Sequence, residues 1–151
     1  MLSPEEDIMK GLLLLMGCVF SFSVVADGEA EYKYREGIMN SAKGHISSMA
    51  AILKGQVHLK NLPVHADGMA DVAGIMPEVF PAGSQTSKSE ALAAVWDQPE
   101  AFKEAMDNFV DAANEMAVAA KSGDMGQIGP AIQALGGSCK GCHDDFREEH
   151  D

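Results

Sequence analysis

One rhythm near the end of the chain constrains the fold more than anything else. Ile128, Ile132, Leu135, Cys139, Cys142 and Phe146 follow one another at intervals of four, three, four, three and four. That spacing lays a single apolar stripe along one face of an α-helix. Three earlier segments keep the same period. From about Glu31 to Lys54 the stripe is Ile38, Ala42, His45/Ile46, Met49 and Leu53, and Gly55 stands just past the end as a cap. From about Pro63 to Val79 it is Met69, Val72, Met76 and Val79, with Pro63 in the first turn. In the third, Asp97 is placed to cap the helix ahead of Pro99 and Glu100. Phe102, Met106, Phe109, Ala113, Met116 and Ala120 then carry the stripe to a stop at Gly123. The fourth opens at Asp124 with Gln127 three residues on, as in a capping box. Pro130 removes a helix hydrogen bond there, so this helix either kinks or begins later. Four amphipathic helices, short joins and one longer loop, "FPAGSQTSKSE", predict an all-α, antiparallel four-helix bundle. The low aromatic share, 6%, and the abundance of Ala and Met agree, and 151 residues suit one domain.

The beginning of the chain reads differently. Lys10 precedes the apolar run "GLLLLMGCVFSFSVVA", and Val24-Val25-Ala26 fits a signal-peptidase site before Asp27. Residues 1–26 are therefore expected to be a signal peptide, with translation starting at Met9 because the leading "MLSPEED" is acidic. A retained anchor helix and lipidation at Cys18 are the other readings of this segment. The exported domain is residues 27–151, with the periplasm as its compartment. The formal net charge of the chain is −12, which disfavours nucleic acid as a partner. It suits plain solubility, or steering toward a basic partner surface.

Once the signal is removed, the remaining cysteines are Cys139 and Cys142, in "CKGCH" with His143. Three residues apart on a helix, the two thiols are neighbours on one face, and they continue the apolar stripe. C-x-x-C-H is the attachment signal of a c-type haem: two thiols add to two vinyl groups and the adjacent imidazole reaches the iron. A zinc site wants four ligands, and His45, His58, His65 and His150 show no second paired spacing. A thioredoxin-like pair would open a helix, where the dipole favours thiolate, and this pair sits near a helix C-terminus.

The segment "GGSCKGCHDDFRE" closing a four-helix pattern resembles the cytochrome c-prime family. So do "YKYREGIM" ahead of "KGQ" on the first helix and "AVWDQPEAFKEAMDNF", with Trp96, at the entrance to the third. The likeness runs from about Glu31 to Glu149. It implies one covalent haem c held by Cys139 and Cys142, with His143 as the fifth iron ligand. It also implies that Arg35 lies near a haem propionate, where a guanidinium can pair bidentately with a carboxylate. Arg147, one turn after His143, is a further candidate to neutralise a propionate or screen the ring edge.

The resemblance places Met39 at the distal face of the iron, one turn along from Arg35. In low-spin relatives the residue there is Met and ligates iron; a Met/His pair raises the reduction potential and leaves no open position. The expected function is therefore electron transfer through His143 and Met39, with unidentified redox partner proteins and no enzymatic activity. The alternative is a five-coordinate haem that binds NO or CO beneath a bulky, non-ligating Met39. A peroxidase would need a distal acid–base residue, and His45, six residues from Met39, is expected to point elsewhere. Family members are often homodimers through the first two helices, so a homodimer is a further expectation.

Overall fold

The computed structural model describes residues 28–149. The expected signal peptide, and Cys18 with it, lies outside the described residues. Four long helices dominate: α1 (Gly28–Gly55), α2 (Leu62–Ile75), α3 (Pro99–Ser122) and α4 (Met125–Phe146). Shorter pieces join them: 3₁₀ turns at Leu59–Asn61 and Met76–Val79, and a single α-turn at Ala94–Asp97. No strand occurs among the described residues, where the one β-bridge joins Ala91 to Arg147. The all-α four-helix bundle expected from the periodicity is the observed architecture.

Local chemistry moves several boundaries. α1 runs through Gly55, and the left-handed residues that follow are Gln56 (φ 52°) and His58 (φ 50°), not a glycine. The last carbonyls of α1 are served instead by the Gln56 amide, which donates to the Leu53 oxygen at 2.6 Å, and by the Val57 N–H, which donates to the Ile52 oxygen. The buried line on α1 is Arg35, Met49 and Ile52, while Ile38, Ala42, Ile46 and Leu53 are only partly buried against the core. α2 stops at Ile75 because Pro77 has no N–H to continue the ladder, and the chain tightens into the 3₁₀ turn. Asp97 does not cap α3. It ends the preceding turn, and Gln98 occupies the cap position without a side-chain bond. Gly123, at φ 69°, closes α3 as expected. Asp124 caps α4 by accepting the Gly126 N–H at 2.8 Å, and the Gln127 amide donates back to its carboxylate at 3.0 Å. α4 begins there and carries Pro130 within it, so it does not start later.

The helices pack in chain order: α1 on α2, α2 on α3, α3 on α4. The α3–α4 layer is the densest, burying Ala113, Met116, Ala117 and Ala120 with Ile128, Ala131 and Leu135. The pair that would close the ring, α1 and α4, makes little direct contact. The bundle is therefore open between its first and last helices.

Candidate functional site

That opening is a cavity of about 560 Å³, within the roughly 300–1,000 Å³ typical of cofactor sites. α1 lines it with Arg35, Met39, Ala42 and Ile46, and α4 with Ser138, Cys139, Cys142, His143 and Phe146. Its floor is apolar: Met69, Met76, Phe80, Val95, Phe102, Met106 and Phe109. Lys88, Ser89, Glu90 and Ala91 border it on the loop side, and Arg147 borders it just beyond α4. The structure thus brings together all five residues singled out from the sequence: Cys139, Cys142 and His143 on one wall, Arg35 and Met39 on the other.

Neither cysteine is in a disulfide, and both are half-buried and packed against the core. Burial raises the pKa of Cys139, and burial followed by the proximity of Cys139 and Asp145 raises that of Cys142 to about 11. Before any attachment these are protonated thiols at neutral pH, not a thiolate redox pair. His143 has one side toward the cavity. Loss of water there, and secondarily the nearby Arg147 charge, lower its pKa and favour the neutral imidazole that a metal requires. Among the described residues no three His, Cys, Asp or Glu side chains are grouped to hold a metal ion by themselves. Two adjacent thiols, one neutral imidazole and an apolar cleft fit a flat, largely apolar macrocycle that brings its own iron.

Arg35 lines the cavity, and its guanidinium is bonded to the protein. It is 4% exposed, and its two terminal nitrogens donate to the Val79 oxygen (3.0 Å), the Ser84 hydroxyl (3.2 Å), the Ser84 carbonyl (3.2 Å) and the Ser89 hydroxyl (3.4 Å). Its guanidinium also lies over Phe80, 4.9 Å from the ring centre, with Trp96 at 5.9 Å. Four acceptors match the four N–H bonds of those two nitrogens, so the fork is already filled by neutral oxygens. A bidentate grip on a carboxylate would have to break these bonds. Arg147 likewise has a protein partner, donating from Nε to Glu90 Oε2 at 2.7 Å.

His45 does not reach the cavity. Its ring fills the notch left by Gly68, where a Cβ would fall within 2.3 Å of it, and stands edge-on to His65 at 5.6 Å. Sequence reasoning treated Met69, Met76 and Met106 as core filler; they are core and cavity floor at once. It gave no role to Ser84, whose burial to 0% depends on contact with a helix 49 residues away.

The comparisons converge on one family. The cytochrome C' family model matches residues 30–147. Cytochrome c' of Pararhodospirillum photometricum is 40% identical over 125 residues, covering 82% of this chain and all of that protein. The solved cytochrome c prime of Shewanella frigidimarina superposes with a TM-score of 0.77 at 34% identity, over 82% of this chain and 98% of that one. A nitric oxide complex of a cytochrome c prime variant from Alcaligenes xylosoxidans superposes at 0.75 with 25% identity, over the same shares. With the C-x-x-C-H wall facing its cavity, the chain belongs to the cytochrome c' family, and its cofactor is a single covalently bound haem c.

Proposed function

We propose that this monohaem c-type cytochrome binds a small diatomic gas, NO or CO, at the side of the cavity occupied by Met39. Cys139 and Cys142 hold the haem by thioether bonds, His143 is the protein's ligand to iron, and Met39 is an apolar lid rather than a ligand. The carrying observation is the cavity itself, with the attachment wall on α4, Met39 on α1 and an apolar floor between them. Kinship supports the gas reading over methionine ligation: the chain is 40% identical to a protein named cytochrome c', and one structural neighbour was solved with nitric oxide. Haem iron supplies a reversible one-electron change and a position at which a gas can bind. The chain's own residues do the rest. The thiols fix the position of the group, neutral His143 offers its lone pair, and the methionine and phenylalanine floor excludes water.

Electron transfer with Met39 as sixth ligand is the second reading, supported by Met39 lining the same cavity as His143. One spectrum separates them. The gas reading expects reduced protein without a sharp α band, a clear change on adding CO, and a Met39→Leu spectrum like the parent's. A sharp α band that CO leaves alone, and that Met39→Leu abolishes, would establish the electron carrier instead.

The proposal includes export of residues 27–151 to the periplasm, redox partners that reset the iron, and no enzymatic turnover. Among the described residues no helix is long and apolar enough to cross a membrane. Homodimerisation through α1 and α2 belongs to the same proposal, supported by Val57, Leu59 and Val64, large apolar side chains exposed where those helices join. Sedimentation of the purified protein tests it.

A further inference from the structure

We propose that Arg35 is a positioning residue: it ties the segment 79–92 as a strap across the gap between α1 and α4. The inference rests on the haem reading above only for what the strap covers; the strap itself is a matter of protein contacts.

α1 and α4 barely meet, yet both are fastened to this segment. On the α1 side, all four Arg35 hydrogen bonds go to Val79, Ser84 and Ser89, and the Lys88 ammonium pairs with Glu29 at 2.9 Å. The first residue of α1, Gly28, lies so close that a Cβ there would stand 3.2 Å from the Gln85 oxygen. On the α4 side, the Leu92 N–H donates to the Phe146 oxygen at 2.9 Å, and the Glu148 N–H to the Glu90 oxygen at 2.8 Å. The strap therefore runs from the helix that carries Met39 to the residues just past His143, and Lys88 to Ala91 face the cavity.

The burial of Arg35 makes the tie specific. A cation placed out of water needs its donors satisfied, and here neutral strap oxygens satisfy them. Lysine keeps the charge but cannot span acceptors spread over three residues. Ser84 supplies two of the four bonds, is fully buried and does not line the cavity, so it can be altered without touching the haem site.

The test uses haem-loaded full-length protein and two readouts: tryptic cleavage after Lys88, followed by mass, and the association rate of CO with the reduced protein. Ser84→Ala is expected to speed both by about fivefold, the weight of roughly one hydrogen bond, and Arg35→Lys, which loses more than one, to speed them further, with the absorption spectrum unchanged. Parental rates in both variants would overturn the strap, as would an effect of Arg35→Lys on the spectrum alone, which would place Arg35 on the haem instead. If Ser84→Ala does not accumulate, Gly28→Val pushes on Gln85 from the other side and must accelerate the same cleavage. Parent protein with the mass of the bare polypeptide would overturn the proposed function, and the cleavage rates would still decide the strap.

Discussion

The two halves of α4 carry the same apolar rhythm in different surroundings. In the first half, Ile128, Ala131 and Leu135 are 2%, 9% and 0% exposed against α3. In the second half, Cys139 and Cys142 continue the stripe but stay partly exposed, because α1 stands back across the cavity. A stripe that protein buries for two turns, leaves open at the two cysteines and closes again at Phe146 against Phe102 has a gap in its interface. What fills the gap is a group that is not made of amino acids. Read this way, the haem is a structural layer of the bundle as well as its reactive centre, and the two halves of α4 should respond differently to its loss.

The largest effect tests that directly. The pair Cys139→Ser and Cys142→Ser is expected to yield polypeptide without covalent haem, its mass that of the bare chain. Hydrogen exchange at residues 139–143 should then lose far more protection than at 128–135, since the turn that carries the cysteines would have no partner across the cavity. Equal loss in both halves would break the comparison. The next effect acts on the packed half. Leu135→Ala removes a fully buried side chain and should cost about 2–5 kcal/mol in denaturant unfolding. Met39→Leu keeps volume at a partly open position and should cost less than about 1.5 kcal/mol.

This division also marks what could be read from sequence. Periodicity is a local signal, and it was enough for the four helices, the start of α4 at Asp124 and the shared face of Cys139 and Cys142. The end of α2 was misplaced although Pro77 was visible, because Met76 and Val79 keep the apolar spacing through a 3₁₀ turn. Asp97 looked like a cap because its residue type is right, but a separate helical turn ends on it. Arg35 was placed at the cavity, but its protein partners were not foreseen. Its acceptors lie 44 to 54 residues away, at the end of the 3₁₀ turn and in the loop after it, whose sequence has no period. Ser84 gave no signal at all, since a serine in a Ser-rich loop is ordinary until a buried guanidinium reaches it.

The start of α4 gives a smaller test. Asp124→Ala removes the acceptor of the Gly126 N–H and frees the Gln127 amide, so thermal unfolding should move down modestly. Those two bonds, the Gln127 one foremost, hold the Asp124 carboxyl below its ordinary value of 3.8. A carboxyl lowered on folding contributes stability above its unfolded pKa and loses it as pH falls through the folded one. Parent and variant should therefore differ at neutral pH and converge in acid. A difference that persists unchanged well below pH 3.8 would mean the cap acts without its charge.

The smallest effect lies at the other end of α4, and it matters because it asks what holds that end. Glu90 and Arg147 pair at 2.7 Å, but both side chains are over 40% exposed. An exposed pair contributes about 0–1 kcal/mol. The same segment is already joined by two backbone bonds, Leu92 to Phe146 and Glu148 to Glu90, which Glu90→Gln leaves in place. The substitution should therefore shift denaturant unfolding by less than about 1 kcal/mol, and the shift should vanish in 1 M salt, where charges are screened within about 3 Å. A loss of several kcal/mol that survives high salt would show that protein contacts secure the open half of α4 by themselves. The contrast between its two halves would then be one of exposure only, with no structural work left for the haem.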